Sequence, residues 1–176
     1  AIATREAEDN REEAQAVNSF LRDRVIAVGR PKAAGGLGPD AKLRDALYAS
    51  ENYLNTAFSQ QPLVEQAIRA TYGLVYGTLT DYDRAVPHLE RCVALRTELF
   101  GETDSRTLLQ RNKLSAALVS SRPPDRVETL VSETLQACRD HLGEENEHTL
   151  YAYNQMGRLL RRKDNPMEVI ELLLPT

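Results

Sequence analysis

The sequence is poor in the residues that build most metal and small-molecule sites. It has no tryptophan, three phenylalanines, two cysteines and three histidines in 176 residues. Cys92 and Cys138 lie far apart, outside any Cys-x-x-Cys motif and with no histidine at ligand spacing. We therefore predict two small buried helix residues in place of a disulfide or a reactive thiol. Neither a metal nor a cofactor is expected.

Long apolar runs and an excess of positive charge are also missing. No apolar run approaches the roughly 18 residues of a membrane span, and no basic region followed by an apolar core opens the chain. A net charge of -4 disfavours nucleic acid as a partner. The start at Ala1 and the stop at Thr176 in mid-pattern suggest a piece of a longer protein, so the location stays open.

Catalytic motifs are absent as well. The loop KAAGGLG lacks the Gly-Lys-Ser/Thr ending and the preceding strand of a phosphate-binding loop, and neither HRD nor DFG occurs. No second histidine or carboxylate is spaced with His88, His141 or His148, which predicts packing or capping roles for them. We expect no enzymatic activity from this fragment.

The sequence does contain a pattern that recurs every 42 residues, which indicates a repeat architecture. Three matches carry it: Gly101-Glu102 with Gly143-Glu144, Thr107-Leu108 with Thr149-Leu150, and Asn112 with Asn154. Three columns run through all three units. One is of small residues (Gly73, Ser115, Gly157), and two are of apolar residues (Tyr76, Leu118, Leu160 and Ala85, Val127, Val169).

The spacing of the apolar residues predicts helices throughout and no strand. Residues 1–61 form an N-terminal segment of two helices around a Gly/Pro-rich loop at 29–40. The first helix ends at Gly29, and the second starts at Pro39-Asp40. Repeats follow at 62–103, 104–145 and 146–176, the last one truncated. Each is a helical hairpin, with predicted helices at 63–79, 83–100 and from 104 or 105 onward, and a second helix from Met167 in the third. The predicted caps are Asp83, Asp104 or Ser105, Asp125 and, at a helix end, Gly143.

The motif of Gly73 and Ala85, followed by Leu89 and Cys92, resembles the tetratricopeptide repeat. The joints LFGETDSRTL and HLGEENEHTL resemble those of the 42-residue type found in kinesin light chains. The segments AVNSFLRDRVIAV, LRDAL, QPLVEQAIRATYGLVY and TDYDRAVPHLERCVALR resemble the repeat region of bacterial serine/threonine kinases. The resemblance implies an all-α, right-handed helical-hairpin solenoid with two extra N-terminal helices, in a membrane-anchored signalling parent.

The resemblance also implies a concave face that is lined by the first helix of each hairpin and binds a protein or peptide. Asn112 and Asn154 are expected there as a carboxamide ladder, unless each asparagine caps a helix or bridges repeats. Tyr151, Arg158, Arg161 and Arg162 extend that face as a basic cluster suited to an acidic peptide or a free C-terminus, unless Glu144, Glu145 or Glu147 pairs with it. The alternative function is self-association, in which the repeats dimerise the parent and bind no ligand.

Overall fold

Helices are the only regular secondary structure in the described part of the protein. The computed structural model describes residues 11, 14–38, 40, 42–58 and 60–163, and no strand occurs among them. The main helices are α1 (residues 14–20), α2 (Leu43–Ala57), α3 (Pro62–Thr78), α4 (Tyr82–Phe100), α5 (Ser105–Ser121), α6 (Pro124–Leu142) and α7 (Glu147–Arg162). The predicted all-α class is confirmed.

The chain divides into two compact units, Ala1–Tyr72 and Gly73–Thr176, with the division inside α3. In the first unit, α1 continues into a wide π-helical turn, Leu21–Val25, and a tight 3-10 turn, Ile26–Gly29. The helical path therefore ends at Gly29, as predicted. The charged stretch of residues 1–10 lies outside the described residues.

The start of α2 differs from the prediction of Pro39-Asp40. The helix begins at Leu43, and Lys42 before it is extended. Gly35 and Gly38 both adopt positive φ, at 80° and 100°, which turns the loop away from a helical path. The chain therefore enters the helix three residues later than a proline signal alone suggests.

Aromatic side chains form the interior of the first unit. The ring of Phe20 lies 5.7 Å from that of Phe58 and 6.0 Å from that of Tyr72. The Tyr72 hydroxyl lies 2.6 Å from Ser50 Oγ in the same interior. Burial is the main reason that the pKa of Tyr72 rises to about 12, while the hydrogen bond to Ser50 opposes the rise.

In the second unit, α5 is the central helix. It packs against α4, α6 and α7, and α6 packs against α7. Two buried clusters hold α5, α6 and α7 together. Leu108, Leu135, Cys138 and Ala152 form one, and Val119, Val127, Val131 and Leu159 form the other. Cys92 and Cys138 are buried and form no disulfide, as predicted.

The joints between hairpins repeat the same geometry 42 residues apart. Gly101 has φ 94° and ψ 162°, and Gly143 has φ 88° and ψ 162°, a region that only glycine adopts without strain. The side chain of Asp104 then accepts a hydrogen bond from the Arg106 backbone N–H, as that of Asn146 does from His148. The 42-residue pattern of the sequence is therefore also a pattern of the backbone.

Two predicted caps are wrong. Asp83 and Asp125 both lie inside the first turn of their helices, because α4 starts at Tyr82 and α6 at Pro124. The fixed φ of proline suits the first helical position, so Pro124 places the start of α6 ahead of Asp125. The second helix of the third hairpin, predicted from Met167, lies outside the described residues.

Candidate functional site

A surface cavity of about 290 Å³ lies in the second unit, lined by residues of α3, α4, α5 and α7. Small side chains form much of its wall: Gly73, Gly77, Ala116 and Ala117. Two tyrosines, Tyr82 and Tyr151, also line it, together with Leu74, which is 57% exposed. The cavity is therefore a shallow, mostly apolar groove with aromatic edges.

Gly73 explains how α3 and α4 come close enough to form this wall. A Cβ atom at Gly73 would lie only 2.6 Å from Leu89 Cγ and 3.6 Å from the carbonyl oxygen of Ala85. One turn further along α3, Tyr76 stacks on the ring of His88, with the ring centres 5.6 Å apart. His88 is buried, and the packing role predicted for it is confirmed.

Lys113 contributes the first positive charge of the groove. It is half-buried in α5, and no described carboxylate lies within ion-pair distance of its ammonium. Burial lowers the pKa of Lys113, and the positive charge of Arg96 on α4 lowers it further. A carboxylate entering the groove would relieve both effects, because it would supply the missing opposite charge.

Arg158 contributes the second positive charge. Its guanidinium donates one hydrogen bond to Gln155 Oε1 and one to Ser120 Oγ, each at 2.7 Å. Both acceptors are neutral, so the bonds fix the side chain without cancelling its charge. An arginine has five N–H donors, and a fixed guanidinium loses little entropy when it binds an anion.

The residues of the predicted basic cluster do not all lie together: some line the groove, others are exposed on α7, and one contacts the end of α5. Tyr151 and Arg158 line the groove, and Asn154 and Arg161 are exposed on α7. Arg162 does not line the groove; it donates to the carbonyl oxygens of Val119 and Arg122. It satisfies carbonyls that the end of α5 leaves without a partner.

The expectation for Asn112 on an open peptide-binding face needs correction. Asn112 is fully buried, and its Nδ2 donates to the carbonyl oxygen of His148 at 2.8 Å and faces Cys138 Sγ at 3.7 Å. These contacts connect α5 to α6 and to the start of α7. Of the three roles considered for this residue, bridging between hairpins is the one that the geometry supports.

The alternative that the joint carboxylates neutralise the arginines finds no support among the described contacts. Glu144 accepts instead from Arg139 at 2.7 Å and from the Tyr153 hydroxyl at 2.7 Å. These two hydrogen bonds, that of Tyr153 first, lower the pKa of Glu144. The positive charge of Arg158 is therefore still available to a ligand.

Sequence reasoning missed Lys113, Tyr82 and Ser120. Lys113 could have been considered from the sequence because it directly follows Asn112, a residue of the asparagine column on the same helix. Among the described residues, no group of three or more potential metal ligands occurs.

No protein-family model matches the chain, and the search of curated proteins returned no match. Within the described residues, no helix combines the length and the apolar character needed to cross a membrane.

Proposed function

We propose that the second unit is a peptide-binding module, and that its groove takes an extended peptide with an acidic side chain or a free C-terminal carboxylate. The observation that carries this proposal is the pair Lys113 and Arg158. Both line one groove, and neither is paired with a described carboxylate. A charge-assisted hydrogen bond to a carboxylate is roughly twice as strong as a neutral one.

The shape of the groove supports an extended chain. Small residues allow a peptide backbone to approach the wall closely, and Tyr82 and Tyr151 offer flat apolar surfaces to its side chains. The cavity volume of about 290 Å³ is at the low end for ligand sites. A short contact of this kind suits an affinity near 1 μM, about -8 kcal/mol.

We further propose that the hairpins form a tetratricopeptide-like right-handed solenoid serving a larger signalling protein, such as a serine/threonine kinase. The repeated joints at Gly101 and Gly143 and the packing of α7 on α5 support this architecture. The kinase parent rests on the sequence resemblance alone.

The test is a titration of the 176-residue chain with acetylated pentaglutamate that has a free C-terminus. Binding is measured by isothermal titration calorimetry and by NMR chemical-shift changes. We expect Lys113→Met to weaken binding about tenfold, the value of one charge-assisted hydrogen bond of ~1.4 kcal/mol. Methionine keeps the apolar stem of the lysine in place. Arg126→Met is the matched control, because Arg126 is exposed on α6 and does not line the groove.

Two results would count against a peptide groove. One is equal weakening by Lys113→Met and Arg126→Met, which would indicate attraction by overall charge. The other is no binding by the chain together with a concentration-dependent mass in sedimentation equilibrium, which would favour the self-association alternative.

A further inference from the structure

A separate surface cavity, of about 310 Å³, lies in the first unit and is lined by residues of α1, the π-helical turn and α2. Three aromatic rings, one carboxylate and one guanidinium contribute to its wall. The lining residues are Ala16, Ser19, Phe20, Asp23, Arg24, Tyr53 and Phe58. The volume is at the low end for ligand sites, and a single amino acid is a molecule of suitable size.

The aromatic side chains form the apolar part of the wall. The ring of Phe20 lies 6.3 Å from that of Tyr53 and 5.7 Å from that of Phe58, and the last two rings lie 6.2 Å apart. Each ring packs on the other two, so the wall is formed without a ligand. Tyr53 is nevertheless 39% exposed, which leaves apolar surface open to one.

Arg24 supplies a positive charge in a fixed position. Its guanidinium lies over the Tyr53 ring, 3.8 Å from the ring centre. The stack uses the face of the guanidinium, whereas the N–H donors lie in its plane and can still bind an anion. No described carboxylate lies within ion-pair distance of Arg24. A carboxylate on a ligand would supply that missing partner.

Asp23 supplies the opposite charge. Ser19 Oγ donates to one carboxylate oxygen at 3.0 Å, and Arg22 Nε donates to the other at 3.1 Å. These two hydrogen bonds, that from Arg22 first, lower the pKa of Asp23, so the carboxyl group is ionised at neutral pH. The Arg22 side chain is 73% exposed, so solvent screens its charge. A carboxylate has about four acceptor positions, and some therefore remain for a donor on a ligand.

The π-helical turn Leu21–Val25 carries both charged residues of the cavity. The backbone N–H of Ile26 donates to the carbonyl oxygen of Leu21, five residues earlier, as in a π-helix. Such turns are rare and occur frequently at functional sites. Asp23 and Arg24 are consecutive, so their Cα atoms are about 3.8 Å apart. Both side chains line the same cavity.

We propose that this cavity binds a free amino acid with an aromatic side chain. The ammonium and the carboxylate of an α-amino acid are attached to one carbon atom, so their partners must carry opposite charges and lie close together. Asp23 binds the ammonium, Arg24 binds the carboxylate, and the three rings contact the side chain. The proposal goes beyond the peptide groove, because every lining residue belongs to the first unit.

The test titrates the 176-residue chain with three ligands that carry the same phenyl ring. They are L-phenylalanine, phenethylamine, which lacks the carboxylate, and phenylpropionate, which lacks the ammonium. Binding is measured by NMR chemical-shift changes of the isotope-labelled protein. We expect L-phenylalanine to bind about tenfold more tightly than either analogue, because each analogue lacks one charge-assisted hydrogen bond.

Two variants remove one charge of the site each. Asp23→Asn should weaken the binding of L-phenylalanine about tenfold without weakening that of phenylpropionate, which has no ammonium. Arg24→Met should weaken L-phenylalanine about as much without weakening phenethylamine, which has no carboxylate. Arg44→Met and Asp45→Asn are the matched controls, because these consecutive, oppositely charged residues are exposed on α2 and do not line the cavity.

Three results would overturn the proposal. One is the absence of chemical-shift changes at the cavity residues on addition of L-phenylalanine. Another is equal affinity for the three ligands, which would indicate a purely apolar pocket. The third is equal weakening by Asp23→Asn and Asp45→Asn, which would indicate attraction by overall charge. The ligand series on the unaltered chain decides the question even if a variant loses helix by circular dichroism.

Discussion

Replacing Gly73 by alanine tests the close approach of α3 and α4, and Gly157→Ala on α7 is its matched control. Both glycines belong to the small-residue column and lie within helices. Alanine is more favourable than glycine inside a helix by about 1 kcal/mol. At Gly157 a Cβ would meet nothing within 4 Å, so Gly157→Ala should raise the free energy of unfolding by about 1 kcal/mol.

At Gly73 the same gain is opposed by a steric overlap. The new Cβ would lie 2.6 Å from Leu89 Cγ, and Leu89 is only 3% exposed, so it has little room to move. Overpacking a closed interior costs about 1–3 kcal/mol. We therefore expect Gly73→Ala to be less stable than Gly157→Ala by that amount, because the difference in helix propensity cancels.

The measurement is urea unfolding followed by far-UV circular dichroism. A double-mutant cycle with Leu89→Ala adds a direct check, because removing the leucine side chain should abolish most of the penalty at Gly73. Equal stabilisation by both alanine variants would refute the close approach. So would a penalty at Gly73 that persists when Leu89 is alanine.

Three further outcomes follow from buried or half-buried polar groups. Gln110 is fully buried on α5, and neither of its amide atoms has a described hydrogen-bond partner. Gln110→Met should therefore raise the free energy of unfolding by about 1–2 kcal/mol. A decrease would mean that the amide is hydrogen-bonded. The pKa of Tyr72 is about 12 in the folded protein and near 10 in the unfolded chain. The free energy of unfolding should therefore fall by about 1.4 kcal/mol per pH unit as the pH rises from 10 toward 12. Tyr72→Phe should remove this dependence when unfolding is measured as a function of pH. Because the pKa of Lys113 is lowered, its ammonium loses its proton at a lower pH than an ordinary lysine does, and the affinity for pentaglutamate should fall from that pH upward. Lys113→Arg should abolish this fall in calorimetry.

The helices were predictable from the sequence because their start and stop signals are local. The helix predicted at 83–100 is Tyr82–Phe100, and the predicted cap Asp104 acts through its side chain next to its helix. The errors arose where two signals competed, as at Pro124 and Asp125. Because Pro124 occupies the first helical position, Asp125 lies one residue inside the helix and not at its cap.

The site was less predictable, because exposure depends on what covers a helix. Asn112 and Asn154 are indistinguishable as sequence, yet one is buried by α6 and α7 and the other is exposed. Lys113 carries no motif; its burial in the wall of the groove lowers its pKa first, and the charge of Arg96 on another helix lowers that pKa further. Such relations require the packing between helices.

The two buried cysteines can be used to measure local unfolding by thiol labelling. Cys92 lies in α4 and Cys138 in α6, so each of these two helices carries one thiol shielded from water. Burial also raises the pKa of Cys138, which keeps the thiol in its less reactive, protonated form. A thiol reagent can therefore modify either residue only after the surrounding helices separate. Labelling rates resolved by mass spectrometry would time the opening of each helix individually in the unmutated protein.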